Sequence, residues 1–151
     1  MDVKLIKTDK KRFLDLLLLA DEQESMIDKY LERGEMFALY DEGELKSICV
    51  VTKEEDGVYE IKNLATYPQY QGRGYGRGLV GYIFDYYRGK CKKMLVGTGD
   101  SPLTIPFYER CGFKFSHRVK NFFTDNYDHP MYDNGTQLVD MVYLVRELEK
   151  A

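Results

Sequence analysis

The stretch Gln71-Gly72-Arg73-Gly74-Tyr75-Gly76-Arg77-Gly78 decides how the chain is organised. It follows a strand-like segment, Val58 to Thr66, which Pro68 ends. Directly after it, apolar residues recur at helical spacing and predict an amphipathic helix. These residues are Leu79, Val80, Ile83, Phe84 and Tyr87. A strand, a glycine-rich loop and a helix in this order are typical of an anion site, because the loop amides and the helix N-terminus attract negative charge.

Alternative interpretations of this loop are weaker. A tight surface turn also uses glycine, but it does not require the flanking Arg73 and Arg77 or the helix that follows. The run from Gly76 to Gly81 matches the dinucleotide pattern G-x-G-x-x-G, yet its later members fall inside the predicted helix. A Walker loop is excluded, since Tyr82 stands where that motif requires lysine.

Composition limits the class of protein. A length of 151 residues predicts a single domain over residues 1–151. A hydrophobic content of 44% is enough to bury one core. A net charge of −3 argues against a general nucleic-acid binder, and the chain has no run of about 18 apolar residues that would cross a membrane. Three cysteines without a C-x-x-C spacing are typical of a reduced, cytoplasmic protein.

The remaining periodicity predicts an α/β or α+β domain with one mixed sheet, in the order βααβββαβαββ. The predicted strands are Val3–Lys7, Met36–Tyr40, Leu45–Lys53, Val58–Thr66, Met94–Val96, Phe113–Phe123 and Leu138–Val145. The predicted helices begin near Thr8, run from Glu24 to Arg33, follow the glycine-rich loop, and run from Thr104 to Arg110.

Three blocks in order resemble the GNAT superfamily of acetyl-CoA-dependent acetyltransferases. The run Gln71 to Gly76 matches that superfamily's Q/R-x-x-G-x-G/A signature. Upstream, Glu60 to Thr66 is similar to its fourth strand, and downstream Pro106 to Phe113 resembles a helix that ends in Y-E-x-x-G-F. The blocks cover residues from about 58 to 115, and the other predicted elements fit the GNAT fold from end to end.

The resemblance implies that acetyl-CoA is the cosubstrate. Its pyrophosphate is expected on the backbone amides of the loop, and its pantetheine arm along a splayed, bulged fourth strand. The expected coenzyme-binding residues are Leu64, Ala65, Thr66, Gln71, Gly72, Arg73, Gly74, Tyr75, Gly76 and Arg77. A bulge supports this expectation, because it exposes backbone polar groups that a ligand can satisfy.

Two residues are candidates for catalysis. Glu60 stands on the fourth strand where many relatives place a catalytic glutamate, and it is the candidate base for the acceptor amine. Pairing with Lys62 is the alternative role of Glu60. The resemblance places the Tyr108 hydroxyl near the coenzyme sulfur, where it is the candidate acid for the leaving thiolate. A core tyrosine is the alternative there.

The remaining polar residues suggest structural roles or acceptor contacts. Asp100 is expected to cap the helix that begins near Thr104. The aromatic loop from Asn121 to Tyr132 is expected over the acceptor side, where Asp125 and Asp128 suit a cationic amine. The two histidines lack metal-ligand spacing, so no metal is expected.

Together these observations predict an N-acetyltransferase that moves acetyl from acetyl-CoA to a primary amine by direct attack on the thioester. The length of the aromatic loop favours a small-molecule amine, while a protein lysine or N-terminus stays open as the acceptor. The alternative from another class is a catalytically silent CoA-binding sensor or regulatory protein. No nucleic-acid or membrane partner is expected, and edge strands leave a homodimer open.

Overall fold

The computed structural model of the protein describes residues 1–133 and 135–148. Its strands are β1 (Asp2–Ile6), β2 (Glu35–Asp41), β3 (Glu44–Glu55), β4 (Val58–Thr66), β5 (Lys93–Gly99), β6 (Lys114–Val119), β7 (Met131–Asp133), β8 (Thr136–Leu138) and β9 (Met141–Glu147). Its α-helices are α1 (Leu14–Ala20), α2 (Glu24–Ile27), α3 (Tyr75–Tyr86), α4 (Thr104–Arg110) and α5 (Phe122–Asn126). Single 3-10 turns occupy Lys10–Phe13 and Pro68–Tyr70.

Seven strands form one mixed sheet in the order β1-β2-β3-β4-β5-β9-β6, which confirms the predicted fold class. The pairing of β4 with β5 is parallel, and the other neighbours in this sheet are antiparallel. Strands β7 and β8 form a separate hairpin. No helix within residues 1–133 and 135–148 has the length and apolar character to cross a membrane.

Each face of the sheet buries its own apolar cluster. Successive side chains of a strand point to opposite faces, so Phe37 and Leu39 of β2 pack in the cluster with α3, while Met36 and Ala38 pack in the cluster with α1. All five helix residues predicted to point inward after the glycine-rich loop are buried. The predicted amphipathic helix is therefore confirmed.

The second predicted helix is shorter than expected. Helix α2 ends at Ile27, and turns follow up to Arg33 instead of the predicted helical continuation. The buried Lys10 binds these turns, because its Nζ donates to the carbonyl oxygens of Leu31 at 3.0 Å and Gly34 at 2.7 Å.

The strand predicted from Phe113 to Phe123 is also too long. Strand β6 ends at Val119, and Asn121 then adopts a left-handed conformation with φ 57° at the start of α5. A residue in that region cannot continue an extended strand. The predicted last strand is divided as well, since Leu138 ends β8 and Met141 begins β9.

Candidate active site

The glycine-rich loop forms an open cradle at the N-terminus of α3. Gly72 has φ 78° and Gly74, which precedes the first residue of the helix, has φ 87°, a region that L side chains rarely adopt. A Cβ added at either position would have no atom within 4 Å, so the loop faces open space. The first amides of a helix have no partner inside it, and this cradle is therefore suited to an anion such as a pyrophosphate.

Side chains around the loop hold its shape. The Gln71 side-chain amide donates to the carbonyl oxygen of Thr66 at 3.2 Å, which ties the start of the loop to the end of β4. On the other side, a Cβ added at Gly76 would lie 3.4 Å from the ring of Phe107 and 3.6 Å from Thr66 Oγ1. Helix α4 thus packs directly against the first turn of α3.

The other loop side chains point in different directions. Tyr75 donates from its hydroxyl to Asp41 at 2.8 Å, so this hydroxyl proton is already used within the protein. Arg73 and Arg77 are exposed, and the Arg73 guanidinium lies 5.9 Å from the centre of the Tyr70 ring. Both arginines are therefore free to extend toward a negative ligand at the rim.

A gap opens between β4 and β5 beside the cradle. The two strands pair only over Val58–Ile61 and Lys93–Val96, and Lys62 forms a bulge because Ile61 and Asn63 pair with adjacent residues of β3. Alternate backbone groups of a strand point to either side. Those of Lys62–Thr66 that face β5 therefore have no strand partner there.

A cavity of about 380 Å³ fills this gap. Leu64, Ala65 and Thr66 line one side and Gly97 to Gly99 the other. A Cβ at Gly99 would lie 2.6 Å from Leu138 Cδ2, so this glycine lets the β7–β8 hairpin approach β5 closely. The sequence did not indicate this role for Gly99.

Tyr108 lies in the same cavity as the unpaired part of β4. It is 8% exposed, and burial raises the pKa of its phenol far above the ordinary value. The hydroxyl is therefore protonated at neutral pH, as a proton donor must be.

Glu60 lies in a smaller adjoining cavity of about 290 Å³. The residue is 6% exposed. Its carboxylate lies 3.0 Å from Lys62 Nζ and accepts a hydrogen bond from the Tyr143 hydroxyl at 3.5 Å. Burial raises the pKa of Glu60, and the Lys62 charge lowers it in part. The contact with Lys62 matches the alternative role derived from the sequence, while the raised pKa suits a base.

The structure thus places Tyr108 and Glu60 in neighbouring cavities instead of one. The two cavities meet along a shared wall. The residues common to the two linings are Asp21, Ile61, Lys62, Gly97, Tyr127 and Met141.

Residues of the aromatic loop line both cavities beside this wall. Phe123, Tyr127 and Tyr132 line the larger cavity, whereas Asp125 and Asp128 line neither cavity. The carboxylate at the wall is Asp21 from the connection between α1 and α2, which accepts from Tyr127 at 2.8 Å. Asp21 was not among the residues predicted from the sequence. An acidic residue after an apolar helix is common and does not by itself indicate a function.

The cap predicted for Asp100 is made instead by the next residue. Ser101 Oγ accepts from the amides of Leu103 at 3.2 Å and Thr104 at 3.3 Å, while Asp100 pairs with Arg118. Cys111 is buried at the end of α4, as expected of a structural cysteine. Within the described ranges no group of three histidine, cysteine or acidic residues has the arrangement of a metal site.

Comparison with known proteins gives consistent matches. Residues 6–113 match the acetyltransferase (GNAT) family. An uncharacterized N-acetyltransferase, YvbK, of Bacillus subtilis (strain 168) is 34% identical over 152 residues, covering 97% of this chain and 96% of the relative.

Two solved structures share the whole fold. A GNAT family acetyltransferase from Elizabethkingia anophelis with acetyl-CoA bound has a TM-score of 0.92 and 33% identity, covering 97% of both chains. A Bacillus subtilis acetyltransferase in complex with CoA has a TM-score of 0.88 and 33% identity, covering 97% of this chain and 98% of that one.

Proposed function

Because this chain belongs to the acetyltransferase (GNAT) family and is an acetyl-CoA-dependent N-acetyltransferase, we propose that it acetylates a primary amine on a small molecule. The acetyl group moves by direct attack on the thioester, within one domain formed by residues 1–151. The observation that carries this proposal is the gap between β4 and β5, which joins the anion cradle to a cavity under the aromatic loop.

The cradle holds the coenzyme end of the reaction. The amides from Gly72 to Arg77 bind the pyrophosphate, with Arg73 and Arg77 adding positive charge at the rim. Leu64, Ala65 and Thr66 offer the unpaired edge of β4 to the amide-bearing arm. Open space at Gly72 and Gly74 supports this fit, since a side chain at either position would project into the cradle.

The cavity supplies groups for the transfer itself. Bound acetyl-CoA provides the thioester. The amine nitrogen attacks its carbonyl carbon, and the coenzyme thiolate is the leaving group. A backbone N–H from Leu64 to Thr66 stabilises negative charge on the carbonyl oxygen, an effect worth about 3 kcal/mol for one donor. Tyr108 gives its proton to the leaving sulfur. A phenol is a weaker acid than a thiol, whose ordinary pKa is about 8.5, and burial weakens this phenol further. The transfer therefore depends on the same buried surroundings, which disfavour a free thiolate as well.

Glu60 removes the proton of the acceptor amine. Free amines have a pKa of about 10.4 and are mostly protonated at neutral pH, so attack requires a base. The raised pKa of Glu60 makes it a stronger base than an exposed glutamate. Because Glu60 lines the neighbouring cavity, a water at the shared wall carries the proton to it.

The position of the aromatic loop favours a small-molecule acceptor rather than a protein chain. Its α5 segment and the β7–β8 hairpin lie over the cavity, and Leu138 packs against β5 at Gly99. A roof of this kind encloses a small molecule and obstructs an extended peptide. We therefore expect small amines to be better substrates than lysine peptides.

Binding and turnover test this function separately. Calorimetric titration with acetyl-CoA is expected to show binding, while NADH and ATP serve as controls that do not bind. A thiol-release assay with small amines, a lysine peptide and a free N-terminal peptide is then expected to respond to the small amines. Release with peptides alone would identify a protein acetyltransferase, and tight binding without release would identify a CoA sensor.

A further inference from the structure

Lys46 on β3 is a buried lysine without an acidic partner. It is 3% exposed, and it forms no ion pair within residues 1–133 and 135–148. Lys10, which is also buried, differs because its Nζ donates to the carbonyl oxygens of Leu31 and Gly34. Taking an ammonium group out of water without such partners costs stability. A lysine at this position therefore indicates a role beyond folding.

A bulge in β3 determines where the Lys46 side chain goes. Leu39 and Tyr40 are neighbours in β2, yet they pair with Ser47 and Leu45, so Lys46 is the extra residue between two pairs. A bulged residue leaves the regular alternation of a strand, and its side chain is redirected. The direction of this side chain is therefore set by the bulge.

The Lys46 side chain ends against the two tyrosines that flank the glycine-rich loop. Tyr70 directly precedes Gln71, and Tyr75 directly follows Gly74. Lys46 Nζ lies 3.5 Å from the centre of the Tyr70 ring and 5.8 Å from the centre of the Tyr75 ring, both within the range of a cation–π contact. The two rings meet edge to face with their centres 6.4 Å apart. One ammonium group thus contacts the side chains at both ends of the cradle.

The hydroxyl groups of the two tyrosines are held by the β2–β3 hairpin. Tyr70 donates to Glu44 at 2.7 Å, and Tyr75 donates to Asp41 at 2.8 Å. Each ring is therefore held at its hydroxyl by a carboxylate and at its face by Lys46. Fixing the ends of a loop before the ligand binds lowers the cost of ordering the site. The Lys46 charge also offsets the two carboxylates beside a cradle that is suited to an anion.

We propose that Lys46 is a positioning residue for acetyl-CoA, which holds both ends of the pyrophosphate cradle through the rings of Tyr70 and Tyr75. The inference rests on the proposed binding of the pyrophosphate by the loop. Lys46 lines neither cavity, so its removal affects coenzyme binding and leaves the chemical step unchanged.

Lys46→Met tests this role, because it keeps the length of the side chain and removes its charge. The Kd for acetyl-CoA, measured by calorimetry, is expected to rise about fivefold, while kcat at saturating acetyl-CoA stays within about twofold of the native value. Lys90→Met is the control, since Lys90 Nζ lies 5.3 Å from the centre of the Tyr86 ring, beyond the far end of α3, and it is expected to retain native affinity. A native Kd in Lys46→Met, or a kcat that falls as much as the affinity, would overturn the role of Lys46.

A double-mutant cycle tests whether Lys46 acts through the Tyr70 ring. Tyr70→Leu is expected to raise the Kd about as much as Lys46→Met does, and combining the two substitutions is expected to raise it little further. Fully additive effects would overturn the route through this ring. Gly74→Asp tests the underlying site separately: native affinity there would overturn the cradle and the inference together, whereas lost affinity there with a native Kd in Lys46→Met would overturn the inference alone.

Discussion

The hydroxyl of Tyr127 donates a hydrogen bond to Asp21 Oδ1 at 2.8 Å, although 106 residues separate the two in the chain. Asp21 belongs to the connection between α1 and α2, and Tyr127 follows α5. The bond therefore joins two segments that line the larger cavity. It also favours the ionised form of Asp21, because the hydroxyl lowers the pKa of a carboxyl that burial raises.

Tyr127→Phe is expected to weaken acceptor binding in a pH-dependent way. Loss of the hydroxyl removes a bond that lowers the pKa of Asp21, so the carboxylate becomes protonated at a higher pH than in the native protein. The acceptor KM is then expected to rise as the pH falls, and this rise begins at a higher pH in the variant. Steady-state kinetics with a small amine substrate across pH measure this rise, and identical KM profiles for the variant and the native protein would contradict the role of this bond.

Tyr108→Phe is expected to lower kcat by about a hundredfold, the scale of general acid catalysis. The affinity for acetyl-CoA, measured by calorimetry, is expected to stay within about twofold because the ring is retained. Tyr82→Phe, at an exposed position on α3, is the control and is expected to retain native kcat. An unchanged kcat in Tyr108→Phe would remove this hydroxyl from the mechanism.

Glu60 is expected to set the acidic limb of the pH profile of kcat/KM. A base acts only when ionised, and burial raises the pKa of Glu60 above its ordinary value, so activity is lost as the pH falls through this raised pKa. Lys62 lowers that pKa. Lys62→Met is therefore expected to move the acidic limb to higher pH.

Two further variants test this assignment. Lys53→Met removes an exposed lysine that pairs with Asp56 and is expected to leave the limb in place. Glu60→Gln is expected to lower kcat/KM and to abolish the limb. A limb that persists in Glu60→Gln would assign the base to another group or to water alone.

Gly74→Asp is expected to weaken acetyl-CoA binding by about a hundredfold or more, since it places a negative charge in the cradle. Gly89→Asp is a matched control, because both glycines have φ 87° and open space around an added Cβ. Thermal unfolding is expected to show similar destabilisation of the two variants. Calorimetry is expected to show lost affinity in Gly74→Asp alone, and native affinity there would place the phosphate site elsewhere.

Local signals predicted the part of the site that is continuous in sequence. The cradle is formed by neighbours in the chain, and the glycines that allow it, such as Gly74, are visible in the sequence together with the helix that follows. The buried face of α3 is equally local, because residues such as Leu79 and Ile83 recur at helical spacing.

Contacts between distant residues were not predictable in the same way. Phe122 and Phe123 have high strand propensity, yet the left-handed Asn121 ends the strand and Phe123 stacks on Tyr127 with ring centres 5.6 Å apart. Asp21 acquires its role from Tyr127 and Tyr30, and no spacing in the sequence relates these three residues. The arrangement of these three residues is therefore visible only in the structure.

In direct transfer, acetyl passes from the coenzyme to the amine and is never held by the protein. The protein is mixed with acetyl-CoA labelled in the acetyl group and with a small amine that it acetylates, and the masses of amine and protein are then measured. The label is expected on the amine in amounts equal to the free thiol released, with the protein mass unchanged. Label held covalently by the protein would show an acyl-enzyme intermediate, and thiol release without labelled amine would exclude acetyl transfer to the amine.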